Sequence, residues 1–283
     1  MSDLPRFDDN APRLVAPIGL QDGTTLTRLV GVMRRLLAPD GCPWDREQSF
    51  ESLRKYVLEE ACEVIDAIDS KDRAGIKEEL GDLLLQIVFQ AELARAEGSF
   101  AIDDVVEAIV NKLVTRHPHV FGDVKADNAE QVLSNWEKQK AKEKKGRGIL
   151  AGVPRSMPAL VRAQRIGEKV GRVGFDWPDV AGSRAKVTEE LGELDRAIAQ
   201  KDAAAMEEEL GDVLFALVNL SRHVNVDSEG ALRRTIDKFT RRFSHVEKRV
   251  AEEHGGWGDP GDAKSLPLDV LDGYWEEAKK QGA

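Results

Sequence analysis

Six carboxylates recur in this chain at fixed spacing. Glu59, Glu60 and Glu63 are followed by Glu78, Glu79 and Asp82, and the set returns 130 residues later as Glu189, Glu190, Glu193, Glu208, Glu209 and Asp212. Residues three apart project from one side of a helix, so Glu60 pairs with Glu63 and Glu79 with Asp82, as Glu190 does with Glu193 and Glu209 with Asp212. Two such pairs on antiparallel neighbours converge on one point and offer oxygen ligands alone. That donor set suits a hard divalent cation, and Mg²⁺ takes oxygen octahedrally while keeping several waters. No nearby histidine or cysteine favours zinc. Without a cation, four anions so close repel and raise one another's pKa values.

A single EExxE is commonly a solvated helix face. Two observations favour a metal here. Asp82 and Asp212 lie within the apolar runs LGDLLLQIV and LGDVLFALV, where an unpaired carboxylate would be costly to bury. The whole acid pattern also keeps its internal spacing in both copies while its neighbours drift.

Helices must hold these acids in place, and the repeat describes them. Residues 57–88 and 187–218 align without a gap and agree at 16 of 32 positions. The flanks repeat more loosely: Lys112 and Arg116 correspond to Lys238 and Arg242, and NWEKQKAKEK at 135–144 echoes YWEEAKKQ at 274–281. Val57, Ala61, Val64, Ile65 and Ile68 follow the 3.6-residue period of one buried stripe. A break falls at 70–75. The next helix, from about Ile76 to Ala94, is apolar almost all round and is expected to be central and buried. A third helix is expected around 103–115. Long helices with short connections pack antiparallel, so the fold class is all-α: two tandem helical-bundle units at 21–145 and 159–283, a Gly/Pro-containing junction at 146–158 and a disordered start at 1–20.

Composition excludes several functions. The 51 acidic and 41 basic residues leave a net charge of −10, against the basic footprint that nucleic acid or a membrane surface requires. The basic stretch 138–147 reads as a solvated helix end. No run reaches the roughly 18 apolar residues of a membrane helix, and the N-terminus has no secretory pattern. Cys42 and Cys62 form no CxxC pair, which fits a reduced, cytoplasmic setting. Cys62 reads as a small core residue rather than a nucleophile.

The copies are not equivalent. Phe89 stands where the second copy has Asn219, and Glu92 where it has Arg222. An amide and a cation suit a nucleotide better than a phenyl ring and an acid, which favours the second copy as the working one. Trp177 in GFDWPD is a candidate for stacking on a base. No Gly-rich phosphate loop is present, so phosphate binding falls to metal and side chains.

EExxE and ExxD with flanking ELGDLL segments, together with CPWDREQSFESLRKYVLEEACEVIDAI, TRHPHVFGD, RVGFDWPD and KFTRRFSHVE, resemble the MazG family of all-α nucleoside triphosphate pyrophosphohydrolases. The likeness runs from about Thr24 to the C-terminus. It implies Mg²⁺-dependent hydrolysis of an NTP or dNTP to monophosphate and pyrophosphate, with Mn²⁺ as a substitute, nucleotide-pool cleaning and a homodimer with Ile109 and Leu113 in the contact. Glu190, Glu193, Glu209 and Asp212 would then hold the metal, matched by Glu60, Glu63, Glu79 and Asp82. Glu189, like Glu59, would serve as base or outer acceptor, and Lys238, Arg241 and Arg242 would clamp phosphates, with Lys112 and Arg116 as their first-copy counterparts. Two alternatives remain at this point: a same-fold hydrolase of another pyrophosphate such as a phosphoribosyl-nucleotide, and a metal-stabilised interaction module without turnover.

Overall fold

In each half a tight turn sets the register of a helical hairpin. Lys71 and Lys201 both adopt left-handed backbone, with φ of 61° and 57°. The aspartate after each, Asp72 or Asp202, caps the next helix by accepting from backbone N–H groups two or three residues on. The computed structural model describes residues 25–122, 148–257 and 266–282, together with Val124, Asn128, Gln131, Val132 and Trp136. The start at 1–20 and the basic stretch 138–147 lie outside them. Among the described residues there is no β-strand, and the chain divides into two compact units, 1–145 and 146–283.

The first unit contains α1 (Leu26–Leu37), the short α2 (Pro43–Arg46), α3 (Phe50–Asp69), α4 (Arg73–Ala96), α5 (Ile102–Arg116) and the short α6 (Pro118–Phe121). Ser49 and Ser52 cap each other's backbone to start α3. The α3–α4 hairpin is the heart of the unit, with α1 and α5 packed on α4. Val30, Met33, Leu53, Val88, Phe89 and Ile102 form its core.

The second unit repeats this plan with α7 (Ala159–Gly171), α8 (Val180–Gln200), α9 (Ala203–His223), α10 (Ser228–His254) and α11 (Leu268–Lys280). The α8–α9 hairpin again forms the heart, α7 packs on α9 and α10, and α11 on α10. Val246, Val250 and Tyr274 are buried where α10 meets α11.

One expectation about burial needs correction. The helix after the turn is not buried all round: Leu80, Leu84 and Ile87 of α4, and Leu210, Leu214 and Leu217 of α9, are exposed on their units. Ile65 and Ile68 are exposed as well, so the stripe on α3 is only partly covered. Periodicity identifies apolar faces but not what covers them. Asp212 is exposed and Asp82 is not buried, so the argument from a costly buried aspartate does not hold.

Candidate functional site

Equal sequence distance from a hairpin turn means equal height along two antiparallel helices. Glu63 and Glu79 each lie eight residues from Lys71, and Glu60 and Asp82 each lie eleven; Glu193, Glu209, Glu190 and Asp212 stand in the same relation to Lys201. The turn therefore brings the four acids of each unit opposite one another. Carboxylate oxygens of Glu60, Glu79 and Asp82 lie within 4.8 Å of each other, as do those of Glu190, Glu193 and Glu209. Glu63 adds its charge to the first cluster, acting on Glu60 and Glu79. Asp212 adds its charge to the second.

The electrostatics agree with the geometry. Glu60 and Glu79 are held above the ordinary carboxylate range, first by desolvation and then by the charges of Asp82 and Glu63. Glu209 is raised by desolvation and then by Glu193, Glu190 and Asp212. Each cluster is thus an all-oxygen concentration of negative charge that could hold a metal ion.

Among the described residues, a lysine pairs with the second cluster and none with the first. Lys186 Nζ lies 2.6 Å from Glu190 and 2.8 Å from Glu189, and these bonds push its pKa well up. Glu190 is 5 % exposed, whereas Glu189 is exposed and sits at the rim. Glu193 also meets Arg196 at 2.9 Å. Tyr56 occupies the place of Lys186 in the first unit. Comparing the copies for shared residues passes over this lysine, because the copies differ there.

Farther along α9 a cavity of about 190 Å³ opens, lined by Phe175, Trp177, Phe215, Asn219 and Arg222 among others. Glycines let its walls close in. A Cβ on Gly182 would stand 2.4 Å from the Trp177 ring, and one on Gly167 would stand 2.8 Å from Asn219 Oδ1. Asn219 and Trp177 thus share this cavity with Arg222, but Arg222 spends its charge on Asp176, at 2.6 Å to both carboxylate oxygens. That pair, with Trp177 edge-on to His223, holds the GFDWPD segment on α9. Arg222 is therefore first a strut of the cavity wall. Its partner lies 46 residues away in sequence, and nothing in the local pattern announces it.

The basic residues predicted to clamp phosphates lie on α10. Lys238 and Arg241 are exposed. The Arg242 guanidinium lies over the Trp275 ring, 5.8 Å from its centroid, and Phe239 packs on the same ring at 4.9 Å. The first unit repeats this pairing: Arg116 lies over Trp136 at 5.3 Å, while Lys112 is exposed on α5. Trp275 was legible only as part of the loose YWEEAKKQ echo.

Two helical hairpins, each with acids at matched heights on its two helices, define a tandem all-α protein whose acid clusters could hold a metal. The model of the MazG nucleotide pyrophosphohydrolase domain matches residues 48–121 and again 181–247. A Thermotoga maritima protein named nucleoside triphosphate pyrophosphohydrolase/pyrophosphatase MazG is 46% identical over 259 residues, 91% of this chain and 96% of the relative. The Escherichia coli K12 nucleoside triphosphate pyrophosphohydrolase is 44% identical over 90% of this chain and 97% of its own length. One from Mycolicibacterium smegmatis is 31% identical over 96% of this chain and 76% of its own length. The chain belongs to the MazG family.

Proposed function

We propose that this chain hydrolyses nucleoside triphosphates to nucleoside monophosphate and pyrophosphate, that it depends on Mg²⁺, with Mn²⁺ as a substitute, and that turnover resides in the second unit. The observation that carries the reading is the convergence of Glu190, Glu193 and Glu209 on the α8–α9 hairpin, with Asp212 adding its charge, beside a lysine and on the helix that leads to a cavity. Glu190, Glu193, Glu209 and Asp212 are the residues that would hold the ion. Their mutual repulsion without a cation and their all-oxygen chemistry fit a hard divalent metal. When bound, such an ion neutralises phosphate charge and polarises water.

The chain's own groups have the following roles in this reading. Lys186 balances Glu190 and Glu189 and stands ready to meet phosphate oxygens. Glu189, at the rim, takes the proton of the attacking water. Lys238, Arg241 and Arg242 supply positive charge for the departing pyrophosphate. Asn219, Trp177 and Arg222 belong to the nucleoside end. The first cluster, Glu60, Glu63, Glu79 and Asp82, is a retained metal site with little or no turnover, and Lys112 and Arg116 are its residual phosphate contacts.

Exposed apolar rows support a homodimer, with Ile109 and Leu113 on α5 among them. No described helix is long and apolar enough to cross a membrane. A cytoplasmic enzyme that clears nucleotide pools is the setting we assign. The test is pyrophosphate release by the full chain from a panel of nucleoside triphosphates, with and without Mg²⁺. We expect metal-dependent release. No release from any nucleotide, with Mg²⁺ binding intact, would favour an interaction module instead.

A further inference from the structure

We infer that the first unit binds a monovalent cation of ammonium size at the floor of its acid cluster, held by the Gln86 carbonyl with Glu60 and Asp82. The site corresponds to the place where the second unit puts the ammonium of Lys186. The inference concerns binding alone and stands whether or not the first unit turns over substrate.

The order of residue pairs along the hairpin carries it. Counting outward from Lys71, α3 and α4 pair Glu63 with Glu79 at eight residues and Glu60 with Asp82 at eleven. Tyr56 and Gln86 follow at fifteen, then Leu53 and Phe89 at eighteen. Leu53 and Phe89 belong to one core cluster, and Tyr56 packs against it. Gln86 therefore forms the floor between the acids and the apolar core. Side chains lean toward the N-terminus of their own helix, which tips Gln86 toward Asp82, one turn before it. Gln86 is 7 % exposed, and its Oε1 is buried without a hydrogen-bond partner. A carbonyl oxygen only accepts, so what it lacks is a donor or a cation.

The second unit shows which cation fits. There Lys186 and Ala216 hold the same rung, and Lys186 Nζ lies 2.6 Å from Glu190. Ala216 is buried and has no polar group to satisfy. In the first unit Tyr56 supplies no ammonium, and Gln86 adds an acceptor. Among the described residues no basic side chain pairs with Glu60, Glu63, Glu79 or Asp82. The same four acids thus have one positive charge fewer beside them. A free monovalent cation restores that charge and gives Gln86 its partner, because carbonyl oxygens replace the hydration shell of K⁺ and accept from ammonium. Its source is K⁺ or the terminal ammonium of a free amine.

The test is equilibrium dialysis of the full chain in EDTA against radioactive Rb⁺, a stand-in for K⁺, with tetramethylammonium chloride holding the ionic strength. We expect one ion per chain, displaced by K⁺ and by ammonium. Displacement by putrescine at a lower concentration than by K⁺ assigns the site to an amine, and the reverse order assigns it to K⁺. Gln86→Leu should weaken uptake about tenfold or more while every acid stays in place. Tyr56→Lys combined with Gln86→Ala copies the rung of the second unit and should abolish uptake. Thermal unfolding shows that the first variant is folded: without K⁺ its Tm should exceed that of wild type, because the unpaired acceptor is gone, and KCl should narrow the gap. No uptake by wild type, or uptake unchanged in Gln86→Leu, would overturn the inference and leave the carbonyl facing water. Two ions per chain would overturn it as well, since the acids alone would then suffice.

Discussion

The two units share their hairpin, their left-handed lysine turn and their four acids, but they differ one to three turns beyond the acids. In the first unit α4 carries Phe89 inside the core and Glu92 at 0 % exposure, tied to Arg34 at 2.8 Å and Arg95 at 2.6 Å. In the second, α9 carries Asn219 beside a cavity and Arg222 on Asp176. The acid and base have changed places between the central helix and the segment packed on it. The same scaffold thus supports a closed interior in one copy and an open one in the other, with the acid cluster kept in both. The difference separates two requirements: an acid cluster needs only the register of the hairpin, whereas a cavity also needs space.

The strongest way to break this comparison is to remove one ligand from each unit. Glu193→Gln should reduce pyrophosphate release on the order of a thousandfold, because the phosphates lose an ion held in place by that carboxylate. Glu63→Gln should leave the rate within about twofold, the second site being untouched. Equal losses would mean that both units turn over substrate, and a larger loss from Glu63→Gln would assign the work to the first.

Stability should divide the units as well. Glu92→Ala leaves Arg34, 12 % exposed, without its buried partner and should destabilise the first unit by about 3 kcal/mol. Asp176→Ala breaks a pair that is 17 % and 20 % exposed, and should cost about 1 kcal/mol. Urea denaturation of each variant measures both. Equal costs would show that the charge exchange between copies is energetically indifferent.

Metal should act on either cluster. A cation that binds only the folded state adds about 1.4 kcal/mol at ten times its dissociation constant, or about 3–5 °C in Tm for a unit of this size. Glu79→Gln and Glu209→Gln should each raise the metal-free Tm, by relieving repulsion, and each remove part of the Mg²⁺ shift. If only Glu209→Gln reduces the shift, the first cluster is not a metal site.

The parts of this arrangement that were legible in the sequence are those that the duplication repeats. Glu60 through Asp82 and Glu190 through Asp212 stood out because both copies keep them, and α3 to α5 followed from apolar period and turn residues. The parts that were not legible are those where the copies differ or where distant segments meet. Lys186 stands where the first copy has Tyr56, and Arg222 meets Asp176 only because α7 packs back on α9. The exposed face of α4 looks like core in the sequence because leucines at helical spacing look alike whether a neighbour covers them or not.

The smallest expected effect concerns that distant pair and its pH dependence. Hydrogen bonds from Arg222 hold the Asp176 carboxyl down at about 2. Its folded pKa is below the unfolded value, so the unfolded chain binds the proton more readily and the pair stabilises the protein above roughly pH 4. That contribution should fade as pH falls from about 4 to about 2. Allowing for solvent screening of a partly exposed pair, it amounts to about 1 kcal/mol. Asp176→Asn should remove the fade while leaving the acid response of the first unit unchanged, because Arg34 and Glu92 are untouched. Urea midpoints for wild type and variant between pH 6 and 2.5 read the difference. If the two curves stay parallel through that range, the Arg222 strut is not what holds the GFDWPD segment, and the cavity beside Asn219 owes its shape to Gly167 and Gly182 alone.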